Sequence, residues 1–258
     1  MKEEEEKNKI LEYFYKRFHP ETGGFSKVPR LPATVEDTYF SLKTLLLLNP
    51  SFISLNKNKI VNFLTSESFD FLNTAEVIYR YFKCYEYLQT RIPEKIEERI
   101  KTGLKKFKGK SLAKFSFKDF CFLYYLKTKL RSGTEDLKKI LEKRKNRAVS
   151  VEDFYYLGKI FPEIYKNCRE RILRSQNSDG GFGFYPGTTS FMENTYYAVK
   201  ILIVLNVKPV FLKELKEFIL LCRNADGGFA RKPGGISFPE STSQSVWLLH
   251  TLAYKKWI

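Results

Sequence analysis

The tripeptide Gly-Gly-Phe occurs three times in this chain, and each copy precedes a polar residue and an aromatic segment at a similar distance. The copies are Gly23-Gly24-Phe25, Gly180-Gly181-Phe182 and Gly227-Gly228-Phe229. Counted from the second glycine, the polar residue follows after 13 positions at Asp37 and Asn194, and after 16 at Gln244. Paired glycines permit a backbone with positive φ, and the phenylalanine can anchor such a turn to a core. The spacing therefore predicts an internal repeat, with each copy forming a hook between two helices.

The rest of the chain continues this repeat. Each unit begins with a charged amphipathic segment and ends with one dense in aromatic and aliphatic residues, which is typical of an exposed helix followed by an interior helix. We expect six hairpins, at roughly 8–50, 57–90, 94–131, 134–162, 164–206 and 210–256. The interior helices should begin near polar residues that satisfy exposed backbone N–H groups, namely Asp37, Asn73, Asp119, Asp153, Asn194 and Gln244. No strand pattern or linker interrupts the series, so the sequence predicts one all-α domain, residues 1–258, with two concentric helical layers closed as a barrel.

Composition limits the protein class. The 258 residues are 43% hydrophobic and 16% aromatic, enough for a large core or a lined cavity. No apolar run approaches the length that crosses a bilayer, and the acidic N-terminus is unlike a signal peptide. Four widely spaced cysteines favour buried thiols in a reducing cytoplasm. The abundance of Lys, Glu and Ile beside two Met residues is typical of a thermophile.

The net charge of +16 is concentrated in two lysine-rich and arginine-rich runs, within 101–114 and 138–147. One interpretation is that these residues solvate exposed helices. A second is that they form a positive entrance for an anionic head group, either a diphosphate or a phospholipid. Nucleic acid is not predicted as a partner, because no helix-turn-helix, zinc finger or aromatic strand pattern accompanies the charge.

Three segments carry a resemblance to a known superfamily. Residues 175–182 resemble the Gln-x-x-x-Asp-Gly-Gly-Phe repeat of protein prenyltransferase β subunits and of squalene or oxidosqualene cyclases. Residues 193–199 are similar to the start of an inner helix in prenyltransferase repeats, and residues 242–249 to a Ser-Gln-Thr-Ala-Trp segment of hopene cyclases. The resemblance covers about half of the chain, in repeats one, five and six. It implies an α/α toroid with inner and outer helical rings, whose central cavity holds an isoprenoid chain in many relatives.

The zinc site of the protein prenyltransferases is not expected here. That family uses an Asp, a Cys two residues later and a distant His. Asp119 and Cys121 have this spacing, but they lie in the third repeat, and Ser241 stands where the histidine should fall. Neither His19 nor His250 completes the set. We therefore expect no cofactor, and interpret Asp119 as a helix cap and Cys121 as a buried thiol.

The acid chemistry of the cyclases also lacks its motif. No two aspartates are separated by one residue, so the Asp-x-Asp-Asp acid of class II cyclases is absent, and no Asp-rich magnesium motif occurs. The acidic pairs Glu36-Asp37 and Glu152-Asp153 are explained by capping and by the helix dipole. The sequence identifies no catalytic residue. A diverged prenyltransferase, a cyclase-like enzyme and a binding protein all stay open.

Two functional hypotheses follow. In the first, the protein binds an isoprenoid (a prenyl diphosphate) or a similar lipid in a central aromatic cavity. The expected cavity wall consists of Tyr39, Phe40, Phe122, Tyr125, Phe154, Tyr155, Tyr196, Tyr197 and Trp247. The expected head-group cations are Lys114, Lys118 and Arg147, joined by Lys27, Arg30, Arg231 and Lys232. Ordinary core packing is the alternative role for the aromatic residues. In the second hypothesis, the protein is a non-catalytic scaffold whose basic face docks a partner subunit or contacts an anionic membrane peripherally.

Overall fold

A computed structural model describes residues 2–66, 74–107, 112, 114–255 and 257. Over these residues the chain forms twelve α-helices, arranged along the sequence as six consecutive pairs. The first three pairs are α1 (Lys2–Tyr15) with α2 (Val35–Leu48), α3 (Pro50–Ser66) with α4 (Ala75–Tyr87), and α5 (Glu94–Leu104) with α6 (Phe117–Lys129). The last three are α7 (Glu135–Arg144) with α8 (Val151–Gly158), α9 (Glu163–Arg174) with α10 (Met192–Val204), and α11 (Leu212–Leu221) with α12 (Pro239–Tyr254).

The chain divides into two compact units. The N-terminal unit is Leu11–Arg144, and the C-terminal unit is Lys145–Ile258 together with Met1–Ile10. Within the N-terminal unit the second helices α2, α4 and α6 pack side by side, and within the C-terminal unit α8, α10 and α12 do the same. The aromatic-rich helices thus form one layer in each unit, with charged helices such as α3, α9 and α11 packed on them. The single domain expected from the sequence stays a prediction.

Each Gly-Gly-Phe hook is held against the first helix of another pair. Gly23, Gly180 and Gly227 have φ of 91°, 84° and 85°, in the left-handed region that favours glycine. A Cβ at Gly23 would lie 2.0 Å from the carbonyl oxygen of Lys59 in α3. At Gly180 it would lie 2.0 Å from the backbone nitrogen of Leu215 in α11. The glycines are therefore required both by the turn and by the close approach of a helix backbone.

The three hooks have one register, and this corrects the sequence interpretation of the third. The backbone N–H groups of Phe25, Phe182 and Phe229 donate to the hydroxyls of Thr38, Thr195 and Thr242, at 3.0, 3.0 and 2.9 Å. Each threonine stands 13 residues after its phenylalanine, so Ser241, and not Gln244, is equivalent to Asp37 and Asn194. Taking Gln244 as the equivalent residue was wrong, because the proline-rich and glycine-rich hook of the sixth pair has the same length as the other two.

The predicted starts of the second helices are also corrected. Gln244 is the sixth residue of α12 and Asn194 the third of α10, while Asn73 lies outside the described residues. The N-caps of α2, α6 and α8 are Thr34, Ser116 and Ser150, each of which accepts a hydrogen bond from the backbone of an aspartate three residues later. Those aspartates, Asp37, Asp119 and Asp153, occupy the third helical position, and Asp119 and Asp153 complete capping boxes. The sequence pattern located the correct turns, but it assigned the capping role to the aspartate that stands three residues after the actual N-cap.

The hooks of the fifth and sixth helical pairs, called hook five and hook six after those pairs, carry the same polar network. Asn177 donates to the carbonyl of Thr188 and to the hydroxyl of Ser190, both at 2.8 Å. Asp179 accepts from the N–H of Gly181 at 2.9 Å and from Ser190 at 2.8 Å. Hook six repeats these bonds with Asn224, Asp226 and Ser237. These loops are therefore held by internal hydrogen bonds rather than by packing alone.

No helix in the described part of the chain combines the length and the apolar character needed to span a membrane.

Candidate functional site

The C-terminal unit brings together most of the aromatic residues predicted for it. The Tyr155 and Tyr197 rings stack with centroids 4.7 Å apart, and the Tyr196 ring lies edge-on to Trp247 at 5.1 Å. The three tyrosines are buried, whereas Trp247 is half-buried. Phe154 is half-buried as well, and its ring lies under the guanidinium of Arg171 at 5.7 Å, so it belongs to the contact with α9. The others form a continuous aromatic surface across α8, α10 and α12.

In the N-terminal unit the predicted residues are connected through a tyrosine that the sequence analysis did not select. The Tyr79 ring of α4 stacks on Phe122 at 4.2 Å and lies edge-on to Tyr125 at 5.1 Å. It also lies 6.5 Å from Tyr39, which contacts Phe40. Aromatic pairs in these geometries are favourable beyond their buried area. Tyr79 is thus the centre of the cluster.

The cations that were predicted to bind a head group lie in different environments. Lys118 forms an ion pair with Glu76, with 2.7 Å between Nζ and Oε1. Glu76 also pairs with the buried Arg80 at 2.6 Å. Lys114 and Arg147 are exposed. A carboxylate already compensates the charge of Lys118, so this lysine is less suited to an added anion than the prediction assumed.

Two lysines that the sequence analysis missed lie on the aromatic surface of the C-terminal unit. Lys200 Nζ is 4.0 Å from the ring centroid of Trp247 and 4.9 Å from that of Tyr196. Lys159 Nζ is 4.3 Å from the centroid of Tyr155. The negative face of an aromatic ring attracts a cation at this distance. The two ammonium groups are therefore held at the aromatic surface.

The charge of Lys200 is poorly compensated. Burial, with a smaller repulsion from Lys159, lowers the pKa of Lys200 to about 8. Among the described residues Lys200 forms no ion pair, and its ammonium group contacts the rings of Tyr196 and Trp247. A cation that is desolvated without a carboxylate is costly, and an anion beside it would remove that cost. The site therefore favours an anion beside an apolar surface.

These lysines follow a repeated spacing from the N-caps of their helices. Counting from the N-cap, the fifth and ninth positions are a tyrosine and a lysine in four second helices. The pairs are Tyr39 and Lys43 in α2, Tyr79 and Lys83 in α4, Tyr155 of α8 with Lys159 at its C-cap, and Tyr196 and Lys200 in α10. Residues four apart lie on one helix face, so each lysine stacks beyond its tyrosine. Aligning the caps by sequence would have revealed this signal.

One of the two equivalent lysines in the N-terminal unit, Lys83, pairs with a carboxylate. Lys83 Nζ lies 2.5 Å from Glu86 Oε2, Lys129 Nζ lies 3.1 Å from Oε1, and the Tyr125 hydroxyl donates to the same carboxylate at 2.5 Å. Burial acts to raise the pKa of Glu86, but the bonds from Lys83, Tyr125 and Lys129 outweigh it and hold that pKa below its usual value. Glu86 is therefore an internal anion, and no described carboxylate pairs with Lys200 in the same way.

The described part of the chain contains no candidate metal site. Three or more His, Cys, Asp or Glu side chains do not come together there in a way that could hold a metal ion. Asp119 Oδ2 accepts from the Ser116 backbone at 3.0 Å and from its hydroxyl at 2.7 Å, and Cys121 is buried. The predicted cap role of Asp119 thus takes the form of a capping-box carboxylate.

Comparison with known proteins assigns the family. The family described as "Prenyltransferase alpha-alpha toroid domain" matches residues 1–84 and 156–250, and the chain belongs to it. The predicted superfamily and the all-α, α/α-toroid fold class are thereby confirmed. A solved structure, Candida albicans protein geranylgeranyltransferase-I complexed with GGPP, is similar at 17% sequence identity and a TM-score of 0.44, over 97% of this chain and 77% of that one. No curated protein sequence matches the chain.

Proposed function

We propose that this protein binds an isoprenoid diphosphate, or a lipid of similar shape and charge, through the aromatic layer of its second helices. In the C-terminal unit the apolar chain would lie on Tyr155, Tyr196 and Trp247, and the anionic group would bind Lys159 and Lys200. Tyr39, Phe40, Phe122, Tyr125 and Tyr197 belong to the same proposal as predicted wall residues, whereas Phe154 contacts α9 instead. Membership of a prenyltransferase family supports the ligand class.

The observation that carries this proposal is the position of Lys200. Its ammonium group lies against Trp247 and Tyr196 and has no carboxylate partner among the described residues. A lysine that only supports folding would extend its ammonium group into water. One placed for an amphiphile would remain at an aromatic surface, where a ligand anion supplies the missing charge. Ligand pockets commonly combine such an apolar surface with a few polar groups.

The proposal is tested by native mass spectrometry with farnesyl and geranylgeranyl diphosphate, on the wild type and on two lysine variants. Lys200→Met should reduce retention of one ligand equivalent by about tenfold or more, because it removes a charge-assisted contact. The control Lys208→Met removes an exposed lysine beyond the end of α10 and should leave retention unchanged. Equal retention by wild type and Lys200→Met would contradict the proposal.

The pH dependence of ligand binding gives a second readout. Because the pKa of Lys200 is lowered to about 8, its positive charge is present at pH 7 and is lost as the pH rises through 8 and above. We expect affinity for the diphosphate to fall between pH 7 and pH 9 in the wild type. In Lys200→Met this decrease should be much smaller, since the titrating group is absent.

The scaffold hypothesis predicts the opposite result. If neither diphosphate is retained and no lipid co-purifies, the aromatic layers are packed core, and partner subunits would be sought by pull-down. If ligand is retained, incubation with candidate acceptors would detect prenyl transfer as a change in product mass.

A further inference from the structure

The C-terminal unit has exposed apolar side chains on loops that precede its second helices. Val149 precedes α8, Phe184 and Tyr185 lie in hook five, and Ile236 lies in hook six, with exposures of 49, 42, 46 and 71%. Two backbone hydrogen bonds connect these segments. Val151 N–H donates to Phe184 O at 3.0 Å, and Met192 N–H donates to Arg231 O at 2.7 Å. We call this connected surface the loop face.

A cavity of about 580 Å³ opens beside Tyr185 in hook five. It is lined by Asn167, Glu170, Arg171, Arg174, Tyr185 and Pro186. Both arginines are exposed, and Glu170 lies 3.4 Å from the neighbouring Arg169. Guanidinium groups and an amide are donors that bind phosphate oxygens well. An exposed tyrosine at the rim places an aromatic ring next to that anion site.

Exposed cations flank the loop face. Lys232 and Arg147 are exposed, while the Glu193 carboxylate pairs with Arg231. The carboxylates of Asp179 and Asp226 accept hydrogen bonds from within their own loops. Anionic lipid head groups attract such cations, by about 1 kcal/mol for each residue near the surface.

We propose that the loop face docks the protein on an anionic phospholipid membrane. Phe184, Tyr185 and Ile236 insert between lipids, and Arg171 and Arg174 bind a lipid phosphate in the cavity beside them. The apolar side chains lie on separate loops among cations. This arrangement suits a deformable head-group layer, in which aromatic and apolar side chains insert while basic side chains contact the head groups. This inference does not depend on the ligand site at Lys200.

Vesicle co-sedimentation tests the proposal on the full chain. We expect binding to phosphatidylcholine vesicles that contain phosphatidylglycerol, and much weaker binding to phosphatidylcholine alone. Arg174→Glu should lower the partition coefficient by about 30-fold, since it removes one positive charge and adds a negative one. The double change Phe184→Ser with Tyr185→Ser should lower it by at least about tenfold through lost apolar insertion.

Two variants control for non-specific effects. Lys208→Glu makes the same charge change at an exposed residue outside the loop face, and Leu221→Ser removes an apolar side chain of 68% exposure at the end of α11. Both should bind as the wild type does, with circular dichroism confirming that every variant is folded. Absence of binding to phosphatidylglycerol vesicles would overturn the proposal and favour an acidic protein partner instead. Equal losses in Arg174→Glu and Lys208→Glu would overturn it too, because the attraction would then reflect net charge alone.

Discussion

At the scale of single residues, the hook glycines are held by two separate constraints. Gly180 and Gly187 both have φ of 84°, yet only Gly180 is approached closely by another backbone. A Cβ at Gly180 would lie 2.0 Å from Leu215 N, whereas one at Gly187 would have nothing within 4 Å. Hook five therefore allows two cases to be compared. Gly187 is required only by the conformation of the turn, whereas Gly180 is required by the turn and by the contact with α11.

We expect Gly187→Ala to lower the free energy of unfolding by about 1–2 kcal/mol, the cost of a left-handed alanine. Gly180→Ala should lower it by about 3 kcal/mol or more, because α11 must also move away. Urea denaturation of the two variants would measure both values. Equal losses would mean that the backbone of α11 is not the obstacle.

At the scale of secondary-structure elements, a buried threonine joins each hook to its second helix. Thr195 accepts from the buried Phe182 N–H at 3.0 Å, and Thr242 and Thr38 do the same in their repeats. This bond fixes the register between turn and helix. Asn194, the more conspicuous polar residue in the sequence, lies one position earlier.

Thr195→Val should destabilise the protein by about 1–3 kcal/mol, because it leaves the buried Phe182 N–H without a partner. Thr195→Ser should recover most of the loss by keeping the acceptor. Thr44→Val is a matched control, since this buried hydroxyl only donates to the Phe40 carbonyl in its own helix, and should cost about 1 kcal/mol or less. Thermal unfolding of the three variants provides the measurement. Similar effects of Thr195→Val and Thr44→Val would contradict the assigned role.

At the scale of the whole molecule, the start of the chain packs against its last repeat. A Cβ on Gly227 would lie 2.1 Å from the carbonyl oxygen of Lys9, and Arg223 forms an ion pair with Glu6. In hook six, Gly227 thus packs against the backbone of α1, just as the hook glycines of the first and fifth pairs pack against α3 and α11. The same local rule places segments more than 200 residues apart in one unit.

Reversing this pair tests the contact. Glu6→Arg and Arg223→Glu should each lower stability by about 1 kcal/mol, and combining them should restore part of that loss, because the opposite charges are exchanged but still adjacent. Glu217→Lys, in the more exposed pair with Lys213, should have little effect. Chemical denaturation of the wild type, the two single reversals and the double variant would give the coupling energy. Strict additivity of the two reversals would show that the pair does not contribute.

The sequence alone determined the repeat, the helical pairs and the family, because each of these follows from short motifs and from patterns of neighbouring residues. Gly-Gly-Phe marks positions where only glycine fits, and the alternation of charged and aromatic segments records which helices face an interior. It also located the aromatic residues, since few side chains other than Tyr and Phe fill such a layer.

Only the tertiary structure decided the register and the charges of the site. The hydrogen bond that the Thr242 hydroxyl accepts from Phe229 sets the register of the sixth repeat, and that bond depends on the folded turn rather than on any motif. Lys118 and Lys200 look alike in the sequence, yet Glu76 neutralises the first while aromatic rings surround the second. Whether a lysine is paired depends on which helix packs beside it. That information is absent from the residues around the lysine and present only in the packed fold.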